Sequence, residues 1–257
     1  MSGGFVGMPF SRRCTIAAGA PRAARHVRAL AGTSDLRRET LDRLGAAAVA
    51  IGGTTIWPAA RAWPWPDARP DRLESALGTA LPGVRILAAA APRQLGRHRL
   101  SLLCRWHDAD AIVKLGDPDD GLETEALALR LLGHDPLPGI ATPGLLASGI
   151  LPDGIAFLAT DALGLGGQRR AIDEPLRTFE HELARRLVAM PRPAGTPDDA
   201  VPVHGDLAPW NLRRTARGLA LFDWEAAGWG PPGSDLEHYR RTCNGLRRPT
   251  IAATFRA

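Results

Sequence analysis

Hydrophobic and polar positions change rhythm several times along the chain. After Gly83, three apolar runs with short polar connections, VRILAAAA (84–91), HRLSLLCRW (98–106) and ADAIVKL (109–115), predict three successive strands. GLETEALALRLLG (121–133) then takes up the helical period and closes on Gly133 and His134. Two further short runs, TPGLLASGI and GIAFLATD, flank Pro152, Asp153 and Gly154, a turn-forming trio that predicts a hairpin. Five strands and one helix of this kind predict an antiparallel sheet with a helix packed on it, an α+β layer. The helical period returns in DEPLRTFEHELARRLVAM (173–190), which sets Leu176, Phe179, Leu183 and Leu187 on one stripe.

The first 80 residues read differently, as an extension rich in Ala, Arg and Pro. One helix is predicted there, SDLRRETLDRLGAAAVA with Ser34 as N-cap, followed by IWPAARAWPWPDARP, too proline-rich for regular structure. Its tryptophans Trp57, Trp63 and Trp65 suit an arm packed onto the domain behind it.

Composition narrows the classes. The net charge is +5 with a pI near 10, but the arginines are scattered rather than gathered into one block, so no nucleic-acid partner is expected. No run of 18 uncharged apolar residues occurs, so no membrane span is expected. Cys14, Cys104 and Cys243 stand far apart without metal-ligand spacing, which fits a reducing cytoplasm. An oligomer is compatible with the sequence but not indicated by it. One detail is sharper: of 32 Lys and Arg residues only Lys114 is a lysine, which suggests a position needing a compact ammonium.

The chemistry gathers in VPVHGDLAPWNL (201–212) and the stretch after it. NLRR and LALFD predict two strands joined near Ala216, Arg217 and Gly218, and folding that hairpin brings Asn211 almost opposite Asp223. One neutral and one anionic oxygen ligand then meet at the end of a ribbon, a donor set suited to Mg²⁺. Asp206 lies on the loop entering the ribbon, close enough to act as a base on whatever the metal holds. Phosphoryl transfer in the protein-kinase type of site uses these parts, together with a strand lysine paired to a glutamate on the next helix. Lys114 is on the strand AIVKL. On the helix, Glu125 shares the apolar stripe of Leu122, Leu129 and Leu132 and Glu123 points away, so Glu125 is the expected partner.

HGDLAPWN followed by LFDWEAAGWGPPGSDLEHY closely resembles the aminoglycoside phosphotransferase and choline kinase family, over roughly residues 84–239. The resemblance implies a protein-kinase-like two-lobed fold of the α+β class, with an antiparallel N-lobe sheet carrying one main helix and a mainly helical C-lobe with a catalytic β-hairpin. It implies a nucleotide-binding lobe over 81–160 and a catalytic lobe over 161–257. The implied activity is transfer of the γ-phosphate of ATP, or of GTP, to a hydroxyl of a small-molecule acceptor, assisted by Mg²⁺. By resemblance, Asp206 is the base, Asn211 and Asp223 hold the metal, Lys114 meets the α and β phosphates, and Glu125 holds Lys114. His204 and Asp235 are structural members of the motif. Backbone groups of Ala159, Thr160, Asp161 and Ala162 form the hinge that meets the adenine.

The chain departs from that pattern in three places. The phosphate-covering loop PRQLGRHRLS has only Gly96, the segment from Leu163 to Ala200 is short, and 18 residues follow Tyr239 where the family continues through several helices. A shortened acceptor pocket is therefore expected, and a nucleotide-binding pseudokinase or scaffold is the alternative to an enzyme. A metal-dependent hydrolase built on His204 and Asp206 is a further rival, but no second cluster of His and Asp supplies the remaining ligands. Trp210, Trp224 and Trp229 are expected to be packing residues. Arginines after Asn211, among them Arg213, Arg214, Arg240, Arg241 and Arg248, favour a neutral or anionic acceptor over a polycation.

Overall fold

The structure, a computed structural model, describes residues 5–8, 14–25, 36–52, 63, 65, 69–91, 99–163, 169–170, 176, 178–215 and 218–247. The chain opens with β1 (Phe5–Gly7), β2 (Cys14–Ala17), a short 3₁₀ turn (Pro21–Arg25), α1 (Leu36–Gly52) and α2 (Pro70–Leu77). The three apolar runs after Gly83 form β3 (Arg85–Ala90), β4 (Leu100–Trp106) and β5 (Ala109–Gly116). Then come α3 (Leu122–His134), β6 (Ile140–Ala141), β7 (Leu145–Ile150), β8 (Ala156–Asp161) and β9 (Arg169–Arg170). The remainder holds α4 (Phe179–Arg186), β10 (Val201–Val203), β11 (Leu212–Thr215), β12 (Gly218–Leu221), β13 (Gly228–Gly230) and α5 (Ser234–Arg247).

Seven strands make one antiparallel sheet in the order β1-β2-β3-β4-β5-β8-β7. Alternation along β5 sets its faces: Ala111, Val113 and Leu115 are buried with Leu100, Leu102, Phe157 and Ala159 under Leu73 and Leu77 of α2. Lys114 points to the opposite face. Its register partner on β8 is Leu158, which packs with Leu122, Leu129 and Leu132 of α3. Registered pairs share a face, so Lys114 looks toward α3.

One boundary moves. The segment read as an N-terminal extension supplies β1 and β2 to the sheet, through the pairs Cys14↔Ala90 and Ile16↔Ala88. Ala46 and Val49 of α1 pack with Ile16, Ala88 and Leu103 on one sheet face. Strands of three and four residues carry too little alternation to be seen in sequence, and α2 was hidden behind the proline tract. Trp63 and Trp65 pack against the sheet core, with the Trp63 ring 4.7 Å from Phe5. Ser34, Trp57, Gly96, Asp173, Ala216, Arg217 and Arg248 lie outside the described residues.

The C-terminal half nests one ribbon inside another. β10 and β13 pair with Val203 opposite Gly228, and everything between them, including the β11–β12 hairpin, rises from that base. β6 and β9 flank the hairpin to make a four-stranded sheet. Leu176, Phe179, Leu183 and Leu187, the predicted stripe, share a buried cluster with Leu207, Leu212 and Trp224. The antiparallel N-lobe sheet with α3 and this hairpin-bearing C-lobe make an α+β, protein-kinase-like two-lobed fold. No helix among the described residues is long and apolar enough to cross a membrane.

Candidate active site

Lys114 joins the two halves. Its ammonium donates to Glu125 Oε1 at 2.9 Å and Oε2 at 2.7 Å, and to Asp223 Oδ1 at 2.6 Å. Glu125 is 2% exposed whereas Glu123 is exposed, as the helical phase predicts. Burial pulls the Lys114 pKa down, but Asp223 and Glu125 together outweigh it, and the net shift is above the ordinary lysine value. Asp223 is held below the usual carboxylate range, first by the charge of Lys114. Its backbone is left-handed, φ 66°, an uncommon conformation for a non-glycine residue that turns the chain out of β12.

The hairpin register sets Asn211 one residue short of direct opposition to Asp223. Leu212 pairs with Leu221, so Asn211 faces Phe222, whose N–H donates to the Asn211 carbonyl at 3.0 Å, and Asp223 follows immediately. Asn211 is 4% exposed and turns its amide nitrogen to Asp206, donating to Oδ2 and to the carbonyl, both at 2.9 Å. The amide oxygen of Asn211 is the atom left to act as a ligand. A neutral amide oxygen and an ionised carboxylate are hard donors, so these residues fit a Mg²⁺ ion.

Asp206 is held at both ends. Its backbone N–H donates to His204 Nδ1 at 3.2 Å, and His204 Nε2 faces the Phe222 carbonyl at 3.1 Å. Nδ1 therefore accepts and Nε2 carries the proton. With both nitrogens engaged, His204 is not available as a metal ligand, which removes the support for a hydrolase built on it. Complete burial pushes its pKa down to about 4. Trp224 packs against that ring, tilted by 58° with centroids 4.5 Å apart, and is itself fully buried, its indole N–H on the Leu221 carbonyl. Trp229 packs likewise, donating to the Met190 carbonyl.

Asp235, at the start of α5, receives the N–H of His204 at 2.6 Å and of Gly205 at 3.0 Å, and so anchors the loop. Gly205 has φ +82°, and a Cβ there would lie 2.2 Å from the Ala226 carbonyl oxygen. Only glycine meets both conditions.

The sequence reading missed two groups. Arg99, at the entry to β4, pairs with Glu225 and with Asp120, whose Oδ2 is 3.1 Å from Nε. Glu225 sits over Gly121: a Cβ on Gly121 would meet the Glu225 carbonyl at 2.8 Å. The carboxylates of Glu125, Asp223 and Glu225 lie within 4.8 Å of one another, with Lys114 and Arg99 as cations against them. The second group is His238, with Nε2 3.2 Å from Asp206 Oδ1. Burial raises the Asp206 pKa; His238 and Asn211 oppose that and Asp223 adds to it. No motif spacing signalled Arg99, and His238, although inside the SDLEHY stretch, is brought to Asp206 only by the fold.

At the hinge the backbone donors are shared with the sheet. Ala159 and Thr160 lie inside the ladder, registered with both β5 and β7. The Asp161 N–H is bonded to the Gly144 carbonyl at 2.9 Å and the Ala162 N–H to the Asp110 carbonyl at 3.1 Å. The donors of Asp161 and Ala162 therefore bond to the sheet at the point where the chain leaves β8.

This arrangement of strand lysine, helix glutamate, loop aspartate and hairpin donors defines a kinase-like phosphotransferase architecture. The sequence profile of the Phosphotransferase enzyme family matches residues 12–257, and the chain belongs to that family. Among solved structures, an aminoglycoside phosphotransferase with GDP and kanamycin is 16% identical, with 68% of this chain and 80% of that one covered and a TM-score of 0.45. A second aminoglycoside phosphotransferase is 11% identical over 68% of this chain and 79% of that one, TM-score 0.44. A kinase from Cydia pomonella granulovirus is 16% identical over 62% and 58%, TM-score 0.39. No curated protein sequence matches significantly.

Proposed function

We propose that the protein transfers the γ-phosphate of a nucleoside triphosphate, ATP or GTP, to a hydroxyl of a small-molecule acceptor. The observation that carries this reading is Lys114, bonded at once to Glu125 of α3 and to Asp223 beyond the hairpin. A surface ion pair would be no argument. A lysine placed between a 2%-exposed glutamate and the carboxylate that follows the hairpin is held in one position by two charges.

Lys114 neutralises phosphate charge, and Glu125 fixes where that ammonium sits. Asn211 and Asp223 would hold Mg²⁺, which when bound supplies further neutralisation of the phosphates. Asp206 orients the acceptor hydroxyl and accepts its proton as the new O–P bond forms. The bond from the γ-phosphorus to the β-bridging oxygen breaks, and the nucleoside diphosphate leaves with that oxygen. Adenine contacts are assigned to the hinge backbone around Asp161 and Ala162, where the chain leaves β8.

The acceptor is a neutral or anionic alcohol such as a sugar or hydroxy acid. Although one solved relative was captured with kanamycin, exposed Arg240 and Arg241 follow Asp235 on α5, near the base, and oppose a polycation. Incubation with Mg·ATP and a panel of sugars, hydroxy acids, amino alcohols and aminoglycosides, read by mass spectrometry, tests this. A product heavier by one phosphoryl group among the neutral or anionic alcohols is expected. Clear Mg·ATP binding with no product would favour a scaffold, and phosphorylation confined to aminoglycosides would refute the acceptor class.

A further inference from the structure

His238 lies on the second turn of α5, three residues beyond Asp235. Its Nε2 is closed off from solvent and has no aligned hydrogen-bond partner among the described residues, while Asp206 Oδ1 lies 3.2 Å away. On its other side, Arg241 Nη2 is 3.0 Å from His238 Nδ1. A guanidinium only donates, so this contact requires a bare Nδ1 and places the ring proton on Nε2, facing the carboxylate. His204 adopts the same tautomer beneath the Asp206 backbone. The other carboxylate oxygen, Oδ2, is held by Asn211.

We propose that His238, set in its Nε2–H tautomer by Arg241, is a positioning residue that orients the Asp206 carboxylate toward the acceptor hydroxyl. The proposal rests on the phosphotransferase reading above. A buried N–H without an acceptor is destabilising, so rotation of Asp206 into line with Nε2 is favoured, and such bonds commonly tighten when substrates bind. His238 acts by fixing a rotamer. Asn211 alone would leave the carboxylate free to turn about its Oδ2 contact.

Two measurements test this, and they fail separately from the parent reading. In the first, H238A should lower kcat roughly 10- to 100-fold, the scale of a misplaced catalytic group, with KM for Mg·ATP within about twofold of wild type. H238Q presents an amide N–H near the Nε2 position and should recover most of that loss, and R241A should fall between H238Q and H238A. Unchanged kcat in H238A, or H238Q no better than H238A, would overturn the proposal. The second needs no turnover: long-range ¹H–¹⁵N spectra of histidine-labelled protein, with H238Q assigning the signals. His238 should carry its proton on Nε2 and lose that preference in R241A; a proton on Nδ1, or a tautomer mixture indifferent to R241A, would overturn it. Inactive wild type with the expected tautomer would discard the phosphotransferase reading and keep the geometry.

Discussion

Replacing Gly205 by alanine isolates the geometry that seats the catalytic loop, and a matched control exists in the same chain. Gly205 and Gly195 have φ of +82° and +79°, so an alanine at either carries the same left-handed penalty, about 1–2 kcal/mol. Around Gly195 nothing lies within 4 Å, whereas the Gly205 Cβ would sit 2.2 Å from the Ala226 carbonyl oxygen and 2.9 Å from its carbon. Ordinary contact begins at 3.4 Å, so the loop or the Ala226 turn has to shift by about an ångström, at roughly 1–3 kcal/mol of added strain. G205A should therefore melt about 2–12 °C below G195A, using about 2–4 °C per kcal/mol for a chain of this size. The shift also displaces the Gly205 N–H from Asp235 and the adjacent Asp206, so turnover in G205A should fall on the order of 100-fold while G195A stays near wild type. Scanning calorimetry and steady-state phosphorylation read the two effects. Equal melting temperatures with equal turnover would refute the argument.

Three other expectations follow from the same contacts. His204, buried with its pKa pushed down to about 4 from 6.5, binds its proton less readily folded than unfolded; the stability it supports is complete above pH about 6.5 and is lost as pH falls toward about 4. Denaturant titrations across that window should show a loss on the order of 3 kcal/mol, and H204Q should flatten it. K114M should lower kcat/KM roughly 100-fold and destabilise by about 2–3 kcal/mol, because Glu125 is left as an unpaired buried carboxylate. K114M/E125Q should regain stability without activity; a double variant no more stable than K114M would contradict the pairing. R99A should weaken the tie between β4 and the loop after Asp223, read as faster hydrogen exchange at Asp120 and Glu225 with global stability changed by about 1 kcal/mol or less.

The legible parts of the fold were those with sustained periodicity. β3, β4, β5 and α3 fall within a residue or two of their sequence expectations, because the apolar alternation or the helical stripe runs long enough to leave one solution. β1 and β2 were hidden because strands of three and four residues hold barely two periods, and CTIA buries three residues in succession. In the site, phase alone chose Glu125 over Glu123, and a turn offset alone brought Asn211 near Asp223. The facing of Asn211 on Phe222 and the sheet-bonded Asp161 and Ala162 depend on where ladders end, which periodicity does not fix. Arg99 and His238 were illegible for a different reason: Arg99 meets Glu225 126 residues away, and His238, although inside the SDLEHY stretch three residues after Asp235, meets Asp206 only once α5 docks on the loop.

A rapid-quench experiment on a single turnover, with γ-labelled ATP, Mg²⁺ and an acceptor from the panel, compares wild type with D206N at saturating enzyme. Wild type should move the label onto the acceptor. D206N should bind Mg·ATP within about twofold of wild type and transfer the label at least 100-fold more slowly, since the position that accepts the hydroxyl proton has been made neutral. Transfer by D206N at the wild-type rate would contradict the assignment of the base, and with it the reading of the loop.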